Sequence, residues 1–512
     1  MKKALPDNKY CKYHSDAEHR KEAGISDEDV FLDLIEDEED VLAPKFKNIE
    51  INNEHIDKEY MADISILHPI VENNLNIKNS SILDNIRILN GCMFDVRISN
   101  VETESEIKFR DSVIKGDLRI KCDDMTDRVL LKDTDIHGHT HISGEFAETV
   151  DLSGSRFGGI LLIDEVECDN NLLLSDCQFW TSLLVENSHI NGMMDLHPID
   201  TDYLVYISES DINNINLSSL GPSDCLVRIY DSNVSNGYLR QQDRGDTFYD
   251  FTNSRIGDLE LEFGSGDLNL YYFNYTDYTN FDFTKIHNRL NESGWKIHNF
   301  DINNERANLK ISNSIDSPGT IPHRKYEDAF EMRNYVETYI KAKERASRQG
   351  DNRSASEFLI NEMRAKRKKR RHKLSTSSLR FREQVYLRSA QAKNVFLDVT
   401  CGFGEKPWKA ALSAAAIPIL FGSFLFPLFG GVKNIETGQR LAFSLDGTFD
   451  IHLLLETVVT NIYFSILAFS TLGSETLVPA STYSRMLTAF VSILGPFFVA
   501  LFVFTLGKQV TR

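Results

Sequence analysis

The chain has 512 residues, 76 Asp and Glu against 56 Lys and Arg, and a mean hydropathy of −0.30. The charge is unevenly divided: residues 326–512 hold 25 basic and 16 acidic residues, leaving 31 and 60 in residues 1–325, so a body of net −29 is joined to a tail of net +9. A surface as acidic as the body repels phosphates and excludes a duplex-binding role, and the length asks for two or three domains.

Residues 1–60 form an acidic N-terminal segment without the apolar h-region of a cleavable signal. Cys11, His14 and His19 make the opening of a zinc motif without its second half, and no metal is assigned to them. The seven cysteines include no CxxC pair. That spacing argues against a disulfide framework and points to a reducing cytoplasm.

Residues 61–300 carry a repeat. The phrase apolar–x–x–small–x–apolar recurs at 77–82, 89–94, 109–114, 131–136, 152–157, 174–179, 185–190, 207–212, 229–234, 251–256 and 273–278, always with Ser, Thr or Cys in fourth place. From Ile114 the closing residues advance by 22, 21, 22, 11, 22, 22, 22 and 22. Short alternating strands at this period predict a parallel β-solenoid with coils of about 22 residues, nine of them making a rod roughly 40 Å long. The closing residues should stack inside, with the small fourth residue turned inward at a corner. The shorter intervals should be half-coils or bulged loops. Asp111, Asp133, Asp176 and Asp231 share one register of the repeat and read as corner residues, whose side chains suit tight turns, rather than as a catalytic carboxylate pair. His137, His139 and His141 would share one side of a strand as metal ligands, but no motif positions a carboxylate beside them. Neither enzymatic chemistry nor a cofactor is assigned.

The repeat region loosely resembles the pentapeptide-repeat and related right-handed β-helix proteins, which share small inward residues. The resemblance implies a right-handed coil. In those classes, some members imitate DNA with acidic surfaces and others cleave polysaccharides.

Residues 301–400 read as a helical linker. Phe330, Tyr335 and Tyr339, then Phe358, Leu359 and Met363, fall at helical spacing, and Gly350–Asp351 splits them into two helices. A further helix is predicted over 379–397. The run 364–373 holds eight Lys and Arg in ten positions. Its core, Lys366, Arg367, Lys368, Lys369, Arg370 and Arg371, is read as a face attracted to anionic lipid rather than as a nucleic-acid patch or sorting signal. Two glycines and a proline in CGFGEKPW (401–408) make a bend. Helix pairs and a bend of this type resemble those of prokaryotic proteins that fuse pentapeptide-like repeats to a channel pore.

In residues 401–512, Ala410–Val432 and Met486–Leu506 are uncharged stretches of 23 and 21 residues. Each is long enough to cross the hydrocarbon layer. Basic residues crowd before the first stretch, and Lys508 and Arg512 follow the second. The positive-inside rule then predicts two spans in the cell membrane with both termini cytoplasmic. Between them, Leu453–Ser470 is apolar except for Glu456, Thr and Asn, and reads as too short for a third crossing. With Thr471–Pro479 it suggests a re-entrant loop, irregular backbone being tolerated at membrane depth only where protein or water lines it.

This region, about 408–510, resembles the two-transmembrane potassium-channel pore family, whose filter reads T-x-G-Y-G-D-x-x-P. Thr471, Gly473 and Pro479 match, Phe464–Thr471 looks like the end of the pore helix, and Gly495, followed by Pro496, sits where the family carries its gating hinge. The resemblance implies a homotetramer passing monovalent cations, potassium foremost, with Thr471, Leu472, Gly473, Ser474 and Glu475 as the filter. Ser474 and Glu475 replace the family's Tyr and Gly. Four Glu475 side chains would then form a carboxylate ring, a basis for cation selection. The expected whole is a multidomain protein: a cytoplasmic solenoid sensing or docking an unknown protein or ligand, a linker, and a two-span α-helical pore in membrane lipid, without a nucleic-acid partner. The alternative is a membrane-anchored solenoid scaffold with a non-conducting, pore-like anchor.

Overall fold

The structure, a computed structural model, describes residues 17–26, 29–30, 45–46, 49–52, 332–376, 380–443, 451–510 and, apart from short loops, 64–297. Cys11, His14 and much of the acidic N-terminal segment lie outside the described residues. The chain divides into two units, Met1–Ser354 and Ala355–Arg512.

The first unit is a β-solenoid of about eight turns over residues 70–278. Its strands pair in parallel with partners one coil away, as in Leu118 with Thr140 and Ile212 with Val234. The repeat follows from two constraints at each corner. The third residue of the phrase takes a left-handed conformation, at φ +50° for Asp111, +52° for Asp133, +59° for Asp176 and +49° for Asp231. Short polar side chains tolerate that region best. The fourth residue is buried, and its hydroxyl joins adjacent coils. The amides of Ser188, Ser210 and Ser232 donate to the Oγ of Ser210, Ser232 and Ser254 at 3.1, 3.1 and 3.3 Å. Ser188, Ser210 and Ser232 in turn donate to the carbonyls of Glu186, Ser208 and Tyr230. A small residue fits the space, and a hydroxyl serves an amide that a strand turning a corner leaves without a ladder partner; at Cys177 a thiol takes the place and donates to the Leu152 carbonyl.

Three phrases differ from the expected pattern. At 89–94 the left-handed residue is Asn90, Gly91 stands at the hydroxyl position with its amide donating to Ser112 Oγ, and buried Met93 rather than exposed Phe94 pairs with Ile114. The phrase was therefore read one residue out of register. The 11-residue step is a half-coil, as expected. Phe157 pairs with Phe179 on one sheet, whereas Ile190 pairs with Cys168 on another, so the phrase changes corners there. Residues 77–82 lie within the straight strand Asn74–Ile82.

Aromatic residues fill the last coils. Tyr249 stacks on Tyr271 and Phe251 on Phe273, with ring centres 5.0 and 5.3 Å apart. Helix α1 (Met332–Gln349) covers the final edge: the Tyr275 amide donates to Thr338 Oγ1, and Lys341 and Arg345 donate to the carbonyls of Tyr275 and Phe281. An uncovered edge strand would offer its free backbone groups to another chain. Gly350, at φ +81°, ends α1 where the sequence predicts a break. Helix α2 (Asn352–Thr376) follows, its N-terminus capped by Asp351 accepting from the Ser354 amide.

The second unit adds α3 (Phe381–Cys401), α4 (Pro407–Leu428), α5 (Ile451–Phe469) and α6 (Thr482–Val510). Three of these, α4, α5 and α6, are long and apolar enough to cross a membrane, with hydropathies of 1.9, 1.6 and 2.4. This overturns the two-span topology and, with it, the placement of both termini in the cytoplasm, which needs an even number of crossings. In sequence the middle segment, Leu453–Ser470, reads as too short for a third crossing. The helix there has 19 residues and is about 28 Å long at 1.5 Å per residue. Its Asn461 amide is satisfied internally, donating to the carbonyls of Leu441 and Thr457.

Candidate functional site: the segment between α5 and α6

Helix α5 ends in a Schellman turn. The Leu472 amide donates to the Leu467 carbonyl at 3.1 Å and the Thr471 amide to Ala468 at 3.2 Å. Thr471 holds the left-handed position, φ +57°, that glycine normally fills. Gly473 follows at φ +72°, with nothing near its missing side chain. Ser474 Oγ accepts from the Leu477 amide at 3.0 Å, so this hydroxyl is spent closing its own turn. Leu477–Pro479 then pairs antiparallel with Val432–Asn434, which also pairs with Arg440–Leu441. Ser481 and Ser484 cap α6 reciprocally: each backbone amide donates to the other's Oγ, at 2.9 and 3.0 Å.

The five predicted filter residues are thus one continuous, irregular stretch. Thr471, Leu472, Gly473 and Glu475 are exposed, and Ser474 is half-buried. Glu475 pairs with no described basic residue, Arg485 included. Its backbone is not left-handed, so the side chain is accommodated there without backbone strain. The left-handed residues are Thr471 and Gly473 instead.

Two glycines fix how deeply α5 lies among its neighbours. A methyl group on Gly495 would sit 1.7 Å from the Phe469 carbonyl oxygen, and one on Gly422 would sit 2.3 Å from Ile462 Cα. Gly495 is thirteen residues into α6, about 20 Å from its start. Near the start of α6, Leu477–Pro479 lies in the small sheet beside Val432–Asn434, and Leu477 belongs to a buried cluster that also holds Phe464, Ala468 and Val491. The extended segment 470–476 therefore runs from the level of Gly495 back to that of the small sheet. Gly495 has a packing role here that spacing alone did not reveal, and α6 continues as helix through Pro496. Sequence reasoning also missed two buried polar atoms one turn apart on α5, Asn461 Oδ1 and Ser465 Oγ, which have no hydrogen-bond partner among the described residues.

The bend at 402–406 joins both ends of this unit. Glu405 is almost fully buried, accepts from Ser356 Oγ of α2 at 2.7 Å and is paired with Lys508 near the end of α6. Lys406 pairs with Glu357 at 2.9 Å. The basic run on α2 is partly engaged: Lys366 pairs with Glu362 at 2.5 Å and Arg367 with Asp398 at 2.8 Å. Arg364 also reaches Asp398, at 3.2 Å. Burial pushes the Asp398 carboxyl up, but the hydrogen bonds and charges of Arg364 and Arg367 outweigh it and hold the group below the usual range. Lys368, Lys369 and Arg371 are exposed and Arg370 is half-buried. On the solenoid, His139 Nδ1 accepts from the Ile160 amide, giving it a part in coil stacking. Among the described residues, no group of three His, Cys, Asp or Glu is arranged to hold a metal. No protein family, curated protein or solved structure was found to match this chain.

Proposed function

We propose that this membrane-associated solenoid protein is a cation channel, with residues 470–476 lining the ion path. The observation that supports the reading is the exposed, irregular backbone of 470–476, which returns from the level of Gly495 to the sheet at the start of α6. Within a bilayer, such backbone needs water or further protein beside it. The uncovered apolar residues of α6, Ile493, Val499 and Val503 among them, leave room for further copies, and four around one axis would close the path. Glu475 would then form a ring of carboxylates attracting cations, potassium among them. The solenoid would act as sensor or docking platform, with α2 and Glu405 transmitting its movement to Lys508 at the end of α6.

The test is current through purified full-length protein in planar bilayers under potassium and sodium gradients. Cation-selective current is expected. Glu475→Gln should reduce preference for cations over anions and relieve block by divalent ions. If the protein is tetrameric but carries no current under any gradient, the membrane-anchored scaffold replaces this reading.

A further inference from the structure

Helix α3 buries polar residues and exposes several large apolar ones. Its polar residues Asn394 and Asp398 are buried, with Asn394 Nδ2 donating to the Met363 carbonyl of α2 and Asp398 held by Arg364 and Arg367. Five of its large apolar residues share an exposed side, while Leu387 and Leu397 are half-buried. Phe381 is 79% exposed and Val399 65%, and Val385, Val395 and Phe396 are exposed with them. At 100° per residue these five fall within an arc of about 100°, a stripe made of two clusters, 381–385 and 395–399, with Arg388 and Ala392 between them. Exposed Arg388 lies within the stripe, and exposed Arg382 and Lys393 flank it.

We propose that α3 lies along the surface of an anionic lipid bilayer, its apolar stripe in the headgroup–acyl boundary and its arginines and lysine among the headgroup phosphates. The proposal rests on the reading of α4, α5 and α6 as membrane helices. Three observations select lipid as the occupant. The stripe carries its own positive charge, which suits anionic headgroups and opposes a second copy laid against the same face. It leads directly into α4, since Gly402, Phe403 and Gly404, all at positive φ, turn the chain and Lys409 Nζ donates to the Asp398 carbonyl. Trp408, 61% exposed in the first turn of α4, stands where an interfacial aromatic ring belongs. The basic surface expected on α2 thus partly serves to bury the polar side of α3, which turns the apolar side outward.

The test uses the full chain in vesicles of zwitterionic and anionic phospholipid. A benzophenone amino acid replaces Phe396, Val399, Val503 or Glu383, one at a time, and photoadducts are identified by mass. Lipid adducts at 396 and 399 should match those at Val503 of α6 and exceed those at Glu383, on the polar side of α3, by about tenfold. Arg388→Gln should remove the preference for anionic over zwitterionic lipid at 396. If 503 labels lipid while 396 and 399 label a second copy or another part of the same chain, the proposal is overturned and the membrane reading stands. If 503 fails to label lipid, both fall. A phospholipid with a photoreactive acyl chain, applied to the unsubstituted protein, gives the same readout by mapping adducts to 381–399, so a variant that misfolds does not decide the matter.

Discussion

The corner serines of the solenoid and the buried polar residues of α5 are held in different ways. In the solenoid, Ser188, Ser210, Ser232 and Ser254 are buried in series, and each hydroxyl accepts an amide from the coil before it. In the helical unit, Asn461 and Ser465 are equally buried without such a series: the Asn461 amide donates to the Leu441 and Thr457 carbonyls, but Asn461 Oδ1 and Ser465 Oγ have no partner among the described residues. Repetition distributes one solution over many coils, so each corner serine finds a partner supplied by its neighbour, while buried groups outside that series, such as Thr140 Oγ1 and Tyr278 Oη, have none among the described residues. A unit without repeats must position each contact once, and there close packing rests on single residues such as Gly422 and Gly495.

Substitutions at the two kinds of position should separate these modes. The largest effect is expected from Ser232→Leu, which overpacks the corner at about 1–3 kcal/mol and orphans the buried Ser210 amide at about 1–3 kcal/mol more. Chemical denaturation of the full chain, followed by the β signal, should show the solenoid transition moving while the helical signal stays. A loss no greater than that of Ser232→Ala would mean the residue does not face inward. Gly495→Ala should come next. The added methyl meets the Phe469 carbonyl, so α5 and α6 must separate at a cost of about 1–3 kcal/mol. Thermal unfolding of the helical unit should fall, with the solenoid untouched. In bilayers the same variant should change open probability without altering ion preference, and a shift in selectivity alone would count against Gly495 as the gating hinge.

Asp111→Val should cost about 1–2 kcal/mol, because a β-branched residue is poorly tolerated at φ +50°, whereas Asp111→Asn should be nearly neutral. Equal losses from the two would break the assignment of this corner. The smallest effect concerns Asp398. Its lowered carboxyl pKa means that the Arg364 and Arg367 pairing stabilises the protein above the ordinary Asp value. That contribution is lost as pH falls through the lowered folded-state value. Asp398→Asn should weaken the α2–α3 contact by about 1 kcal/mol at neutral pH and flatten this part of the acid profile. A variant whose acid unfolding curve superimposes on the parent's would remove the ion pair from the account.

The solenoid was readable in the sequence because its coils state the same constraint again and again. Where one copy is degenerate, as at Asn90–Gly91–Cys92–Met93, the pattern alone chose the wrong closing residue, and only pairing with Ile114 corrects it. The helical unit was less readable. Its apolar stretches announced themselves, but 453–470 reads as too short to cross because the helix begins earlier, at Ile451, and sequence does not tell that the Leu441 carbonyl lies ready for Asn461. The contiguity of Thr471–Glu475 was legible. That Thr471 caps a helix and Ser474 closes a turn was not, because both depend on where α5 stops. The outward face of α3 was hidden for a similar reason: which side is covered depends on arginines some thirty residues upstream.

The hydroxyl ladder also sets a unit of length. Each corner from Asn187 to Tyr275 recurs after 22 residues, and each serine on the way hands its hydroxyl to the amide one coil before. Removing a whole period, such as residues 211–232, rejoins a corner to a like corner and leaves a shorter rod with every rung connected. Removing one residue fewer or more turns the following side chains to the opposite face of the coil. The rod can therefore be cut or extended only in whole coils, and its reach changes in steps of about 4.8 Å.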